Sequence, residues 1–153
     1  MMRIAVGSDH AGFPLKALIL QFLKDIGHEV IEFGSFDKNP VDFPVITKEV
    51  CQSVVNQKVE RAIMICGTGV GASIAANKIP GIRAAVCHDI YTAHQCVEHD
   101  NVNVIAIGAQ IIGPTIAKEL IERFLQSTFS TSEEFRRRVK MLDDMDKYNT
   151  GKE

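Results

Sequence analysis

The sequence lacks the features that would assign it to several specialised classes of protein. It has no tryptophan, and no apolar run reaches the roughly 18 residues that suggest a membrane span. Its 17 basic and 19 acidic residues give a net charge of −2, far from the strongly cationic balance of nucleic-acid-binding domains. We therefore expect an ordinary soluble protein that binds neither nucleic acid nor a membrane.

Cysteines are also few, and their spacing excludes the common paired motifs. There are four, at positions 51, 66, 87 and 96, and no two of them form a Cys-x-x-Cys pair. The first ten residues lack the apolar core and cleavage site of a secretory signal peptide. We therefore expect a cytoplasmic protein in which the thiols stay reduced.

Short apolar segments alternate along the chain with segments that have the spacing of amphipathic helices. The apolar segments predict strands at 3–8, 28–33, 61–66, 83–87 and 103–108. Strands that alternate with helices pair in parallel, because each right-handed crossover returns the chain to the same edge of the sheet. The sequence therefore predicts one α/β domain over residues 1–153, a three-layer α/β/α sandwich with a Rossmann-like parallel sheet of about five strands.

A last amphipathic helix, at about 132–148, lies outside this alternation. Its apolar residues, Phe135, Val139, Leu142 and Met145, follow one another at helical spacing. Such a helix could cap its own domain or pack on a partner subunit, and we expect the second arrangement.

In open α/β sheets, ligands bind beyond the carboxyl ends of the strands. Four segments follow predicted strands at this edge and carry polar or glycine residues: 8–10, 66–69, 88–89 and 108–110. We expect the first two segments, which include Asp9, His10 and Cys66, to carry the chemistry.

The segment from Cys66 to Ser73 joins a predicted strand to a predicted helix. Three glycines, Gly67, Gly69 and Gly71, allow backbone amides to approach a ligand closely, and the start of the helix adds partial positive charge. Such a loop can hold an anion or an oxyanion. Cys66 at its start is then a candidate base or nucleophile, although a small buried residue at a strand end would look the same.

The same segment also fits a dinucleotide-binding fingerprint, because Gly67, Gly69 and Ala72 have the required spacing. Asp89 follows about 20 residues later, where an acidic residue would hold a ribose hydroxyl. However, the motif follows the third strand rather than the first, and the chain has no room for a separate substrate domain. We therefore predict no nucleotide cofactor, and a nucleotide-binding module that uses the Gly67–Gly71 loop stays an alternative function.

Three other groups of polar residues could serve function or could have only a structural or surface role. Asp9 and His10 could transfer protons or bind a sugar, or Asp9 could cap the first helix. The basic run at 136–138 could bind a phosphate or form a solvated face. One further cluster has no recognised metal-binding spacing, so we predict no metal site; it comprises Cys87, His88, Asp89, His94, Cys96 and His99.

Several of these motifs together resemble the ribose-5-phosphate isomerase B family, whose relatives include galactose-6-phosphate and tetrulose-phosphate isomerases. The resemblance extends from Arg3 to about Leu142. It is carried by Ser8-Asp9-His10-Ala11-Gly12-Phe13, Val41-Asp42-Phe43-Pro44, Cys66-Gly67-Thr68-Gly69-Val70-Gly71, Ile74-Ala75-Ala76-Asn77-Lys78, Pro80-Gly81-Ile82-Arg83-Ala84-Ala85 and Asn103-Val104.

The resemblance implies an aldose–ketose isomerase in which Cys66 moves a proton between two sugar carbons through an enediolate. The expected substrate is ribose 5-phosphate of the pentose phosphate pathway, with a tetrose or hexose phosphate as the alternative. The family works as a homodimer or homotetramer with shared active sites and needs no cofactor or metal. The residues implied as catalytic are Cys66, Thr68, His99 and Asp9; those implied as substrate-binding are His10, Gly67, Gly69, Val70, Gly71, Asn101 and Arg138.

Individual roles follow from the same resemblance. The amides from Gly67 to Gly71 would hold the enediolate, with the Thr68 hydroxyl beside the base. Asp9 and His10 would hold the sugar and assist ring opening. His99 would serve ring opening, and Arg138 would bind the phosphate, both in the site of the neighbouring subunit.

The sequence departs from the family pattern at the periphery of the site. The family usually has His-Asn-Asp where this chain has His99-Asp100-Asn101, and it often has Tyr and Arg at positions 43 and 110, where this chain has Phe and Gln. On the last helix, Glu134 and Phe135 replace an Arg-His pair. We therefore expect the reaction to be kept and the identity of the sugar to be the variable property.

Overall fold

The computed structural model describes residues 1–150, with side chains described through Tyr148. Five strands alternate with five helices, and a sixth helix follows. Their bounds are β1 Arg3–Ser8, α1 Phe13–Asp25, β2 Glu29–Glu32, α2 Phe43–Val55, β3 Arg61–Cys66, α3 Val70–Ala76, β4 Ala84–Val86, α4 Ile90–Asp100, β5 Val104–Gly108, α5 Pro114–Gln126 and α6 Glu133–Thr150.

The five strands form one parallel sheet in the order β2-β1-β3-β5-β4. This confirms the predicted α/β fold, the parallel pairing and the number of strands. The bounds of β1 and β3 match the prediction, whereas β4 is shorter because its ladder with β5 ends at Val86. The sheet order places β1, β3 and β5 side by side at its centre.

The two faces of the sheet carry side chains of different size, because successive residues of a strand point to opposite faces. One face is lined by branched residues, among them Ile4, Ile63 and Ile105, which pack with α1, α4 and α5. The other face is lined mainly by small residues, such as Ala5 and Ala62, and packs with α2 and α3. Full burial of each large side chain stabilises the fold by about 1.5–3 kcal/mol.

Helix α6 packs on its own chain. Val139 is buried, Asp143 forms a 2.9 Å ion pair with Arg83, and the Asp146 carboxylate accepts the Gly81 N–H. Leu142 and Met145, on the same stripe, stay 42% and 60% exposed. The chain thus covers one half of the predicted apolar stripe by itself. Packing of this helix on a partner subunit remains a prediction.

No helix within residues 1–150 combines the length and the apolar character required to cross a bilayer.

Candidate active site

Cys66 ends β3 at the carboxyl edge of the sheet, and its side chain is 4% exposed. The backbone then turns through Gly69, whose positive φ of 82° is a conformation that glycine adopts without strain. This turn directs the Gly69 N–H to the Cys66 sulfur, with an N···Sγ distance of 3.1 Å. We call residues 66–71 the Cys66 loop.

The Cys66 loop lies against the end of β5. Ala109 N–H donates to the Cys66 carbonyl at 2.8 Å, and Gln110 N–H donates to the Gly67 carbonyl at 3.0 Å. A Cβ atom at Gly108 would lie only 2.6 Å from the Thr68 Cα atom. Two hydrogen bonds and a close backbone contact therefore fix the loop to the end of β5.

Asp9 and His10 lie at the same edge. The register pairs Ser8 with Ile65, so Asp9 follows in the position beside Cys66. Asp9 is buried, and its carboxylate accepts the N–H of Gly12, the N-cap residue of α1. The capping interpretation of Asp9 is therefore partly correct, since the carboxylate supports the turn before the helix.

The imidazole of His10 is oriented by a backbone group. Its Nδ1 atom accepts the Val41 N–H at 3.2 Å.

Thr68 is exposed, and its hydroxyl oxygen accepts the Val70 N–H at 3.3 Å. Phe43 closes the far side of the loop, because a Cβ atom at Gly71 would lie 2.6 Å from its ring.

His99 and Asn101 lie at the opposite edge of the sheet. Helix α4 starts beyond the carboxyl end of β4 and ends before the amino end of β5, so residues 99–101 lie at the amino ends of the strands. The Asn101 carbonyl accepts a hydrogen bond from Arg83, which immediately precedes β4. One chain therefore does not bring these residues to its own Cys66.

His99 forms a separate cluster with α6. Its ring stacks on Phe135 with a centroid separation of 4.1 Å, and its Nδ1 atom lies 2.8 Å from the Gln95 amide nitrogen. The Arg138 guanidinium lies 5.9 Å from the Phe135 centroid and 3.9 Å from the Glu134 carboxylate. We call His99, Phe135 and Arg138 the His99 cluster. The residues implied as catalytic or substrate-binding thus fall into two groups at opposite edges.

The residues considered for a nucleotide site or a metal site have structural roles instead. Asp89 caps α4 by accepting the Thr92 N–H at 2.7 Å, a hydrogen bond that lowers its pKa. The sulfurs of Cys87 and Cys96 lie 3.9 Å apart, and that contact, together with burial, raises the pKa of Cys87. Within residues 1–150, no three His, Cys, Asp or Glu side chains are grouped as metal ligands.

Lys16 is a buried charged residue that the sequence pattern did not predict. Its side chain is 1% exposed, and its ammonium group contacts the Glu32 carboxylate at 2.9 Å and donates to the Phe33 and Ser35 carbonyls. The segment that it holds is bonded to β1, since Ser8 N–H donates to the Gly34 carbonyl at 2.8 Å. The sequence contains one signal for this burial, since Lys16 stands beside Leu15 on the apolar face of a helix. A lysine that is buried there needs hydrogen-bond or ion-pair partners.

The sequence is similar to those of known proteins over most of its length. The model of the Ribose/Galactose Isomerase family matches residues 4–142. The chain is 38% identical over 148 residues to ribose-5-P isomerase B of Listeria innocua, covering 97% of this chain and 99% of that protein. It is 41% identical over 132 residues to D-erythrulose-4-phosphate isomerase of Pectobacterium atrosepticum, covering 84% and 86%.

The fold is also similar to a solved structure, that of Clostridium thermocellum ribose-5-phosphate isomerase B. The TM-score is 0.93 at 41% sequence identity, and the match covers 96% of this chain and 99% of the other.

Proposed function

This chain belongs to the ribose/galactose isomerase family and is a sugar-phosphate isomerase, and we propose that its reaction interconverts ribose 5-phosphate and ribulose 5-phosphate. The substrate is proposed from the similarity to ribose-5-phosphate isomerases B, and one observation carries the proposed role of Cys66 as the base: it lies at the carboxyl edge of the sheet, with the Gly69 N–H directed at its sulfur. A hydrogen bond from an amide stabilises negative charge on that sulfur, which a base needs.

In the proposed mechanism, the Cys66 thiolate removes the proton from C2 of the open-chain aldose. The electron pair moves into the C1–C2 bond, and the carbonyl oxygen at C1 becomes the enediolate oxygen. Cys66 then returns the proton to C1, and O2 becomes the ketose carbonyl after it loses its hydroxyl proton. The Thr68 hydroxyl, which is exposed beside the base, would relay the proton between the two oxygens.

The negative charge of the enediolate needs donors that are already in place. The amides of Gly67 and Gly71 would supply them, because the loop is held against β5 before substrate arrives. Those of Gly69 and Val70 would join when substrate displaces their bonds to the Cys66 sulfur and the Thr68 hydroxyl. Asp9 and His10 would bind the sugar hydroxyls and assist ring opening at the adjacent position. Burial of Asp9 and the bond from Val41 to His10 keep both side chains ordered.

We propose that the His99 cluster completes the active site of a partner subunit. A twofold axis that sets the amino edge of one sheet beside the carboxyl edge of the other would form two equivalent shared sites. The Nδ1 atom of His99 contacts the Gln95 amide, and one face of its ring stacks on Phe135. The Nε2 atom would therefore contact the sugar. Arg138 would bind the phosphate, in competition with its weak ion pair to Glu134.

A tetrose 4-phosphate is a second candidate substrate. The chain is 41% identical to a D-erythrulose-4-phosphate isomerase over 84% of its length, and 38% and 41% identical to two ribose-5-phosphate isomerases B over 97% and 96%. Both candidates use the same proton transfer next to the carbonyl and differ in chain length.

The test is a panel of tetrose, pentose and hexose phosphates, with ketose formation measured for the wild type and three variants. Cys66→Ala and Cys66→Ser should abolish turnover of the preferred sugar, while Cys51→Ala, a buried cysteine on α2, serves as the matched control. Highest kcat/KM on ribose 5-phosphate would support the proposal, and highest kcat/KM on a tetrose phosphate would favour the second candidate. Near-normal turnover by Cys66→Ala would remove Cys66 from the mechanism.

A further inference from the structure

Strand β5 runs two residues further than its neighbour β4. The ladder between them ends with Val86 paired to Ala106, so the amide of Gly108 has no partner within β4. His88 supplies one: its Nε2 atom accepts the Gly108 N–H at 2.8 Å. The imidazole thus takes the place that a strand carbonyl would hold.

Gly108 is the first residue of the segment that supports the Cys66 loop. The next two residues, Ala109 and Gln110, donate to the carbonyls of Cys66 and Gly67. Gly108 itself approaches the backbone of Thr68 so closely that a side chain would not fit. A displacement of Gly108 would therefore be passed directly to the Cys66 loop.

We propose that His88 is a positioning residue for the catalytic loop, holding Gly108 and, through the end of β5, the backbone of Cys66, Gly67 and Thr68. The kinetic part of this inference rests on the proposed role of Cys66. The structural part, a hydrogen bond that fixes the loop, does not depend on the substrate.

The hydrogen bond requires a neutral ring, because Nε2 can accept only when it carries no proton. Burial lowers the pKa of His88 and outweighs the adjacent Asp89 carboxylate, which acts in the opposite direction. That carboxylate is itself engaged with the Thr92 N–H. The ring is therefore kept in the form that accepts the Gly108 N–H.

Two variants separate the hydrogen bond from the packing of the ring. In His88→Gln, the side-chain oxygen can reach the position of Nε2 and keep an acceptor for Gly108. In His88→Leu, the volume is filled and the acceptor is lost. We expect His88→Leu to lower kcat by about 10- to 100-fold with a smaller effect on KM, since a misplacement of about 1 Å in a catalytic group costs about that much. His88→Gln should stay within about threefold of the wild type.

A second readout is independent of the sugar. The rate at which iodoacetamide alkylates Cys66, followed by mass spectrometry of the peptide, should change in His88→Leu and be restored in His88→Gln. A purely structural role would lower the melting temperature but leave kcat per folded molecule and the alkylation rate unchanged. Values within twofold of the wild type in folded His88→Leu would overturn the proposal.

Amide hydrogen exchange of the wild type tests the same bond if His88→Leu does not fold. Gly108 N–H should be protected, and the nitrogen chemical shift of Nε2 should be that of an unprotonated acceptor. Exchange of Gly108 at the rate of an exposed amide would refute the proposal. If the wild type turned over no sugar phosphate, the proposed function would fail, while alkylation and exchange would still decide the role of His88.

Discussion

The contact between Gly108 and Thr68 gives a quantitative test of how the Cys66 loop is held. In Gly108→Ala the new methyl group would lie 2.6 Å from the Thr68 Cα atom and 2.8 Å from the Gly67 carbonyl oxygen. The first distance is about 0.8 Å short of the 3.4 Å at which ordinary contact begins. Both obstacles are backbone, so the loop or the end of β5 must move as a unit.

A movement of this size should have a large effect on turnover and a moderate effect on stability. Misplacement of a catalytic group by about 1 Å can cost about 100-fold in rate, and we expect a comparable fall in kcat. Overpacking of a well-packed region costs about 1–3 kcal/mol in the free energy of unfolding. The fold should survive that cost in a domain with two packed faces.

The matched control is Gly113→Ala, because a Cβ atom at Gly113 would have nothing within 4 Å and its φ is −87°. This residue is the N-cap of α5, where alanine is less favourable than glycine by about 0.5–1 kcal/mol, so the control carries a stability cost without a clash at the Cys66 loop. Both variants are compared by kcat on the preferred sugar phosphate, by Cys66 alkylation and by urea denaturation. A folded Gly108→Ala with kcat within twofold of Gly113→Ala would show that the loop does not depend on β5.

Three other predictions concern the shared site, metal dependence and the cap of α4. Mixing inactive Cys66→Ala with impaired Arg138→Ala under conditions of subunit exchange should restore activity, because some mixed dimers contain one intact site. No recovery despite demonstrated exchange would mean that each subunit builds its site alone. Treatment with EDTA should leave turnover unchanged, since Cys66 and the loop amides can supply the base and the charge stabilisation; loss restored by zinc or manganese would contradict this. Asp89→Ala should lower the free energy of unfolding by about 1 kcal/mol in urea titrations, because Thr92 N–H loses its acceptor. That hydrogen bond lowers the pKa of Asp89 from its ordinary value of 3.8, so the charge-dependent part of the stability difference between Asp89→Ala and the wild type should be present above pH 3.8 and be lost as the pH falls through the lower folded pKa. A difference that persists unchanged at lower pH would contradict the charge-based part of this argument.

The fold could be predicted because its signals are local. The buried strands β1, β3 and β5 are apolar runs that end at polar or glycine residues, and the helices between them have a clear apolar face. Alternation then leaves a parallel sheet as the consistent arrangement. The position of Cys66 follows by the same logic, since a glycine loop after a central strand must lie at the carboxyl edge.

Contacts between distant parts of the chain could not be predicted. His88 meets Gly108 only because β4 ends two residues before its neighbour, and the apolar pattern of the sequence continues to Cys87. Lys16 is buried because carbonyls from the segment after β2 converge on it, which no helical pattern encodes. The packing of α6 on α4 depends in the same way on Phe135 meeting His99.

The proposed division of the site between the two edges of the sheet follows from the direction of α4. A helix that connects parallel strands starts at the carboxyl edge and must end at the amino edge, so a residue in its last turn cannot face the loop of its own chain. In this chain His99 occupies that last turn, Phe135 of α6 stacks on it, and Arg138 lies over the Phe135 ring. The residues proposed to transfer the proton lie at the ends of central strands, whereas the groups proposed to bind the phosphate lie on surface helices. We therefore expect a substitution such as Glu134 beside Arg138 to alter the choice of sugar without disturbing Cys66, and the departures from the family pattern on α6 lie among these proposed phosphate-binding residues.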